Sequence, residues 1–415
     1  MHPEYPVYPV VSGTTENTET TLPRKSISQP RYRRRRQWSM AISLGLVLLL
    51  VFVVAYVYYQ REVVGTRDYE GQGNGNVVLV RVSEGDTVSG LIPQLLEDGV
   101  VGSRSAMLSA AENAEQTGER RGLEAGYYAL QEEMSAENAM AALTDDERRL
   151  GVVDIPTGST LEDVTVVGGD TRAGIFTSIA NNSCREGLTD GLEDCVSVEE
   201  LRESIVSSSA AELGVPEWAT EAVDARPDDP RRIEGLIAPG VHLFDPTSSA
   251  SEIVNSLLTN SAEIYEGTGL LEAQDSVGLS AYEIITAASL VEREAPDGDF
   301  DKVARVIMNR LDIDQRLEFD STVNYDVSAQ EVATTDADRA RRTPWNTYAK
   351  NGLPDTPIAS PGVTALQAVE HPAEGDWLYF VTVDLDGRTV FNRDFKDHED
   401  AIEESRRNGV LDSAR

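Results

Sequence analysis

The sequence is poor in histidine, cysteine and basic residues for its length. Its 415 residues include four histidines and two cysteines, and 36 Lys and Arg stand against 71 Asp and Glu, giving a net charge of −35. This acidity argues against nucleic acid as a partner, because phosphate contacts need Lys and Arg. We expect no metal centre and no cofactor, since the histidines form no ligand spacing and no further cysteine is available. The histidines are His2, His242, His371 and His398.

One long apolar run lies near the N-terminus. Residues 38–59 include no charged side chain, and a helix of this length spans a hydrocarbon core of about 30 Å. The alternative is a cleaved signal peptide, but its apolar core would be shorter and would be followed by small residues, whereas this run ends in YYQRE. We therefore predict an uncleaved, single-pass membrane anchor.

Charge is distributed unevenly about this run. Residues 1–61 carry a net charge of +5, and the remainder carries −40. The arginine cluster at 31–36 predicts that the N-terminal side is cytoplasmic and that the larger part lies outside the cell membrane. Residues 1–37 have the composition of a disordered tail, and residues 60–76 that of a flexible linker.

Residues 77–150 have the pattern of a small mixed α/β module. Apolar alternation predicts strands at 77–82 and 126–130, and helices are predicted at 88–96 and 135–143. The first strand–turn–helix unit resembles a LysM-type glycan-binding fold. Many small βα units share this pattern, so an ordinary α/β module is the alternative.

Residues 151–232 form an acidic and mostly helical segment, with an amphipathic helix predicted at 201–213. Within it, Cys184 and Cys195 are 11 positions apart in a stretch rich in Gly, Asn and Asp. Outside the membrane disulfides persist, so we predict a local bridge that closes this loop. Residues 233–244 are apolar and predicted to be a strand or an extended loop.

The rest of the chain is organised around residues 280–295, SAYEIITAASLVEREA. Ser280 followed by Glu283 is a capping-box pattern, and Pro296 ends the predicted helix. At 100° per residue, Glu292 falls inside a continuous apolar stripe, whereas Glu294 falls on a face that can remain solvated. Burial would raise the pKa of a carboxyl group in such a stripe, which suits a general acid. The alternative is a structural Glu292 that forms an ion pair with an arginine such as Arg310.

Further motifs follow in a fixed order. They are AASLVEREA, VARVIMNRL, DSTVNY (predicted as strand-like), WNTY, GLP, IASPG, HP, LYFV and FN. This ordered set over residues 230–405 resembles the YceG-like family, the endolytic murein transglycosylases. The anchor and the LysM-like module agree with that family. The resemblance implies an α+β protein whose residues 233–410 form a mixed α/β YceG-like catalytic domain.

The resemblance also implies a site. The family's catalytic glutamate corresponds to Glu292, the residue that the helical periodicity selects independently. Four residues occupy motif positions that resemble the cleft lining, and two more come from the NRL motif; we predict that all six bind substrate. They are Asp320, Thr322, Asn346, Tyr348, Asn309 and Arg310. Arg310 could bind a peptide-stem or lactyl carboxylate or be a structural ion pair, and His371 before Pro372 is interpreted as a turn residue.

The implied reaction is cleavage of the β-1,4 bond between MurNAc and GlcNAc in nascent peptidoglycan, beside cell-wall synthases, so that glycan length is set. Two alternatives remain: a non-catalytic wall-binding scaffold, and a muramidase that hydrolyses the same bond. A hydrolase needs a second carboxylate, for which Asp320 is the candidate. The family pattern is not matched everywhere, since Tyr325-Asp326 stands for Tyr-Gly, Pro354-Asp355 for Pro-Pro and Ser360 for Thr.

Overall fold

The computed structural model describes residues 30–59, 68–116, 122–166, 169, 171–185, 187–189, 195–327 and 334–410. The chain divides into two units, one ending at Val64 and one beginning at Gly65. In the first unit, helix α1 (Pro30–Tyr59) contains a window, Met40–Val57, that is long and apolar enough to cross a membrane. The helix fits a single-pass membrane protein. Of the predicted tail at 1–37, residues 1–29 lie outside the described residues, and residues 30–37 are not a disordered tail but part of helix α1.

The second unit begins with a three-stranded antiparallel sheet in the order β1–β2–β3. The alternating apolar residues of β1 direct Val80 and Val82 inward, where they pack with Leu95, Met107 and Leu130. The mixed helix and strand composition predicted for this region is confirmed. The elements are β1 (Val77–Val82), α2 (Val88–Glu97), α3 (Arg104–Gln116), β2 (Gly126–Gln131), α4 (Ala136–Leu143) and β3 (Arg149–Leu150).

The acidic segment is joined to the residues that follow it by a strand pair. Strand β4 (Val152–Ile155) pairs antiparallel with β7 (Gly240–Leu243), and one hydrophobic core includes Phe176, Leu201 and Leu257. The segment therefore packs on the part of the chain that follows residue 232. Its other elements are β5 (Val164–Thr165), β6 (Thr171–Arg172), α5 (Ile175–Ser183), α6 (Val198–Ser207) and α7 (Glu217–Asp224), followed by a 3-10 turn at Pro230–Ile233.

The two cysteines lie between α5 and α6. In the structure their sulfur atoms are bonded, and the Cα atoms of Cys184 and Cys195 are 5.5 Å apart. The bridge closes a loop of which residues 186 and 190–194 lie outside the described part. Helix α6 ends at Ser207, earlier than the predicted residue 213, because Ser208 has an extended backbone.

The C-terminal part is built around helix α10 (Ala281–Glu294). This helix packs against α7 and against four further helices: α9 (Leu270–Val277), α11 (Phe300–Asp312), α12 (Asp320–Asn324) and α14 (Val363–Glu370). Ser280 and Glu283 form the predicted capping box: the Glu283 N–H donates to Ser280 Oγ (3.3 Å), and the Ser280 N–H donates to Glu283 Oε2 (2.8 Å). Every residue from Ala281 to Val291 except Glu283 is buried. The helix prediction is confirmed.

The remaining elements frame this helix. The predicted hairpin is present as β8 and β9, which pair from Tyr379↔Asn392 to Thr382↔Thr389. The elements are α8 (Ala250–Glu266), α9 (Leu270–Val277), α11 (Phe300–Asp312), α12 (Asp320–Asn324), α13 (Asp336–Arg339), α14 (Val363–Glu370), β8 (Tyr379–Thr382), β9 (Thr389–Asn392) and α15 (Phe395–Arg407).

The strand-like interpretation of residues 320–325 is wrong. Asp320–Asn324 form the short helix α12. Within it, the Thr322 hydroxyl donates to the carbonyl of Phe319 (2.6 Å). Alternation over so few residues fits either element, and side-chain bonds to the preceding turn select the helix here.

One carboxyl group of the second unit is almost completely buried. Glu234 is 1% exposed; it accepts hydrogen bonds from the Tyr325 hydroxyl (2.8 Å) and from the Leu161 N–H (3.2 Å). Burial raises the pKa of Glu234 from 4.5 to about 7. The folded protein therefore binds this proton more tightly than the unfolded chain does.

This pKa predicts a pH-dependent stability. Because the folded-state pKa is the higher one, the contribution of Glu234 is complete below pH 4.5 and is lost as the pH rises through about 7, a loss of about 3 kcal/mol in the free energy of unfolding. Glu234→Gln should remove this dependence and be the more stable form at pH 8. Denaturant unfolding of both proteins at pH 5 and pH 8 measures the difference, and parallel pH profiles would contradict the prediction.

Candidate active site

Glu292 lies where helix α10 emerges from the core. It is half-buried, and its Oε2 accepts a hydrogen bond from the Gly362 N–H at 3.0 Å. Its other oxygen, Oε1, makes no hydrogen bond within the described part of the chain. One oxygen is thus fixed by the backbone, and the other is available to a ligand.

Gly362 is brought to this position by contact between two turns that are far apart in the sequence. The Gly158 N–H donates to the Ser360 carbonyl (2.9 Å), and the Ser360 N–H donates to the Ser159 carbonyl (2.8 Å). The Tyr265 hydroxyl also donates to the carbonyl of Pro361 (3.4 Å). The turn after β4 and the IASPG motif therefore form one support beneath Glu292.

A cavity of about 870 Å³ opens beside Glu292. Its walls come from the turn after β4, the end of α10, the start of α11 and the whole length of α14. Sequence reasoning missed most of this lining and interpreted His371 as a turn residue, although His371 also lines the cavity. The lining residues are Thr157, Thr268, Glu292, Asp297, Gly298, Phe300, Asp301, Gly362, Val363, Thr364, Gln367, Ala368 and His371.

Glu294 is not the solvated residue that helical periodicity predicted. It is half-buried and accepts a hydrogen bond from the Ser321 N–H at 3.3 Å. Burial raises the pKa of Glu294, and the negative charge of Asp320 raises it further. Helix α12 covers this side of α10, and the helical pattern of α10 alone contains no information about that neighbour.

The structure brings Asp320 and Tyr348 together, and Asp320 is not among the residues that line the cavity beside Glu292. The Tyr348 hydroxyl donates to Asp320 Oδ1 (2.7 Å), and Arg339 binds the same carboxylate through Nη2 at 3.0 Å to each oxygen. Burial and then the bond to Asp320 raise the pKa of Tyr348, so Tyr348 is a hydrogen-bond donor here. Asp320 is therefore engaged in an ion pair.

Thr322 and Asn346 are buried. The hydroxyl of Thr322 contacts Thr347 Oγ1 at 2.9 Å. Asn346 Nδ2 donates to the carbonyl of Arg339 (3.1 Å), and its Oδ1 accepts from the Tyr348 N–H (2.9 Å). The protein itself uses these polar atoms, so they position the segment that includes Arg339 and Tyr348. Direct contact with substrate stays a prediction.

Asn309 and Arg310 hold the strand β8 region. Asn309 Nδ2 donates to the carbonyl of Trp377 (2.8 Å), and Arg310 Nε donates to the carbonyl of Leu378 (2.6 Å). Arg310 is 7% exposed and forms no ion pair with a carboxylate of the described residues. The proposed Glu292–Arg310 pair is thus absent from the structure described, and backbone carbonyls satisfy this guanidinium.

The Gly362 position predicts a steric test. A Cβ at residue 362 would lie 2.8 Å from Thr157 Cγ2 and 3.3 Å from Glu292 Oε2. We expect Gly362→Ala to lower the free energy of unfolding by about 1–3 kcal/mol, because overpacking forces the neighbours to move. Thr157→Ser removes the clashing methyl group, so the double variant should recover most of the loss in a denaturation cycle. Additive effects would contradict this contact.

Comparison with known proteins agrees with the motif order. Residues 80–404 match the YceG-like family model. A Bacillus subtilis protein named endolytic murein transglycosylase is 27% identical over 332 residues, which are 79% of this chain and 84% of that protein. A Streptococcus pneumoniae protein of the same name is 25% identical over 68% of this chain and 50% of its own length. A crystal structure of a YceG-like protein from Listeria monocytogenes is 22% identical, with a TM-score of 0.45 over 79% of this chain and 99% of that one. Since the family model covers most of its length, the chain belongs to the YceG-like family.

Proposed function

We propose that the protein is an endolytic lytic transglycosylase that cleaves the MurNAc–GlcNAc β-1,4 bond of peptidoglycan. The observation that carries the proposal is Glu292, held at Oε2 by Gly362 and open at Oε1 beside a cavity. The name of the Bacillus subtilis and Streptococcus pneumoniae relatives, endolytic murein transglycosylase, supports the same substrate.

The reaction needs one carboxyl group that acts twice. Glu292 in its acid form donates a proton to the glycosidic oxygen, the bond from that oxygen to C1 of MurNAc breaks, and C1 gains oxocarbenium character. The carboxylate then removes the proton from the C6 hydroxyl of the same sugar while that oxygen bonds to C1. The products are a 1,6-anhydroMurNAc end and a free GlcNAc hydroxyl, and no water is consumed.

The neighbouring carboxyl groups favour this route over hydrolysis. A hydrolase needs a second carboxylate for water or as nucleophile, but Asp320 is bound by Arg339 and Tyr348, and Glu294 by the Ser321 N–H. A muramidase remains the second candidate because Asp297 and Asp301 line the same cavity as Glu292.

Mass spectrometry of the digestion products separates these functions. We expect the wild type to release fragments with anhydro ends from purified glycan strands, and we expect Glu292→Gln to reduce the rate at least about 100-fold, because the proton donor is lost. Asp297→Asn and Asp301→Asn are the controls and should retain anhydro products. Hydrolysis would be established if the wild type released fragments heavier by one water and either Asp variant no longer released them. Binding without cleavage by any form would establish a scaffold.

We also propose that residues 77–150 form a LysM-like module that binds glycan. The order β1–α2–α3–β2 supports it, as does a groove of about 480 Å³ between the start of α2 and the end of α3, lined by Thr87, Ser89 and Leu108 among others.

The groove predicts a binding defect. Ser89→Trp should fill the groove and weaken binding of GlcNAc oligomers at least about 10-fold, because apolar and hydrogen-bonding groups of the sugar lose their site. Ser109→Trp, on an exposed part of α3 away from that groove, is the matched control. Calorimetry in the Glu292→Gln background checks this, and equal binding by both variants would contradict a glycan site here.

The proposed setting is the outer face of the cell membrane. We infer from the basic residues 31–36 that the N-terminal side of α1 is cytoplasmic, which would place the site where synthases extend nascent strands. Labelling of the N-terminal tail in intact cells by a membrane-impermeant reagent would exclude this orientation.

A further inference from the structure

Arg293, which follows Glu292 directly, differs from the other half-buried arginines of the described residues, because it has neither a carboxylate nor a carbonyl partner. Arg231, Arg202 and Arg339 each form an ion pair with a carboxylate. Arg293 is also half-buried, yet within the described ranges it forms no ion pair and no hydrogen bond. The same holds for Arg172, which is exposed on strand β6. In a chain with 71 acidic residues, a desolvated and unpaired guanidinium is costly unless a ligand supplies the anion.

The side chains of Arg293 and of the proposed catalytic residue, Glu292, both lie close to Gly158. A Cβ at this glycine would lie 3.8 Å from Glu292 Cγ, 3.9 Å from Arg293 Cδ and 4.0 Å from Arg293 Nη1. The two side chains therefore extend over the same turn, and the Arg293 guanidinium lies beside Glu292 without reaching ion-pair distance.

The charge of Arg172 also acts on Arg293. Burial lowers the pKa of Arg293, and the charge of Arg172 lowers it further, while Glu294 and Glu292 act in the opposite direction. An anion bound by Arg293 would stabilise its charged guanidinium. A carboxylate fits best, because a guanidinium binds its two oxygens through parallel hydrogen bonds.

We propose that Arg293 forms a carboxylate-binding subsite that holds the muramyl residue against Glu292. The inference rests on the proposed function, since MurNAc is the wall sugar that bears a lactyl group. The carboxylate has two sources: the lactyl group itself in a strand without peptides, or the peptide stem attached to it. Arg310, the candidate from the sequence, is already bound to carbonyl groups.

The test uses equilibrium binding, so that it does not depend on cleavage. The full-length Glu292→Gln protein in detergent is titrated with glycan strands whose carboxylates are free and with strands whose carboxylates are capped as methylamides. Capping should weaken binding about 10- to 100-fold, the range of a charge-assisted hydrogen bond. The Glu292→Gln/Arg293→Gln protein should bind both substrates equally weakly. Arg293→Lys should recover part of the loss.

Two further arms complete the experiment. Strands with and without peptides identify the source of the carboxylate. A preference for uncapped strands that appears only without peptides assigns the lactyl group. A preference that appears only with peptides assigns the peptide stem. Arg406→Gln, an exposed cation on α15, is the control and should keep the full preference. The proposal is overturned if Arg293→Gln retains the preference.

Kinetic measurements on the enzyme with Glu292 intact provide a second readout. Subsite loss should raise KM for uncapped strands and leave the pH profile of kcat in place. A shifted pH profile with unchanged KM would instead mean that Arg293 acts on Glu292, and would also overturn the proposal. Absence of cleavage by the wild type, with the carboxylate preference intact, would contradict the proposed reaction but not the subsite.

Discussion

The hydrogen bond from the Gly362 N–H to Glu292 Oε2 is the contact on which the site depends. It exists because the turn at 156–159 and the motif at 358–362 exchange backbone hydrogen bonds, and because residue 362 has no side chain to displace Thr157. Strand β4 fixes the first turn through its pairing with β7, and helix α14 begins directly after the second. The acidic segment that carries β4 is thus part of the support for Glu292.

The carboxyl groups of this region differ in what holds them. Asp320 is held by Arg339, and Glu294 is held by the Ser321 N–H of α12. Glu234 is held in the core by Tyr325 and Leu161. Burial raises the pKa of Glu294 and Glu234, so a perturbed pKa alone does not identify the functional residue. What distinguishes Glu292 is geometry: a fixed oxygen, a free oxygen and an adjacent cavity.

Local signals explain why part of this could be predicted from the sequence. The capping box at Ser280, the apolar stripe of α10 and the alternation of β8 and β9 depend on neighbours in the chain, and all three elements were predicted. The state of Glu294 depends on α12, and the cavity depends on Thr157, Asp297 and His371, which come from separate turns. No periodicity in α10 encodes these partners. Thr322 and Asn346 were selected by motif position, which cannot separate a residue that contacts a ligand from one that positions its neighbours.

Within the part of the chain that the structure describes, Glu292 forms no ion pair, and its hydrogen-bond donor is the Gly362 N–H. A backbone N–H can donate to Oε2 whether or not Oε1 carries a proton, whereas an arginine at ion-pair distance would favour the charged form. Arg293 lies close but binds no carboxylate of the described residues. If it binds the substrate carboxylate, much of its charge is neutralised when the muramyl residue is in place. Oε2 keeps the Gly362 N–H while Oε1 first gives and then takes a proton, so both transfers of the proposed reaction occur without a change in the contacts that hold Glu292.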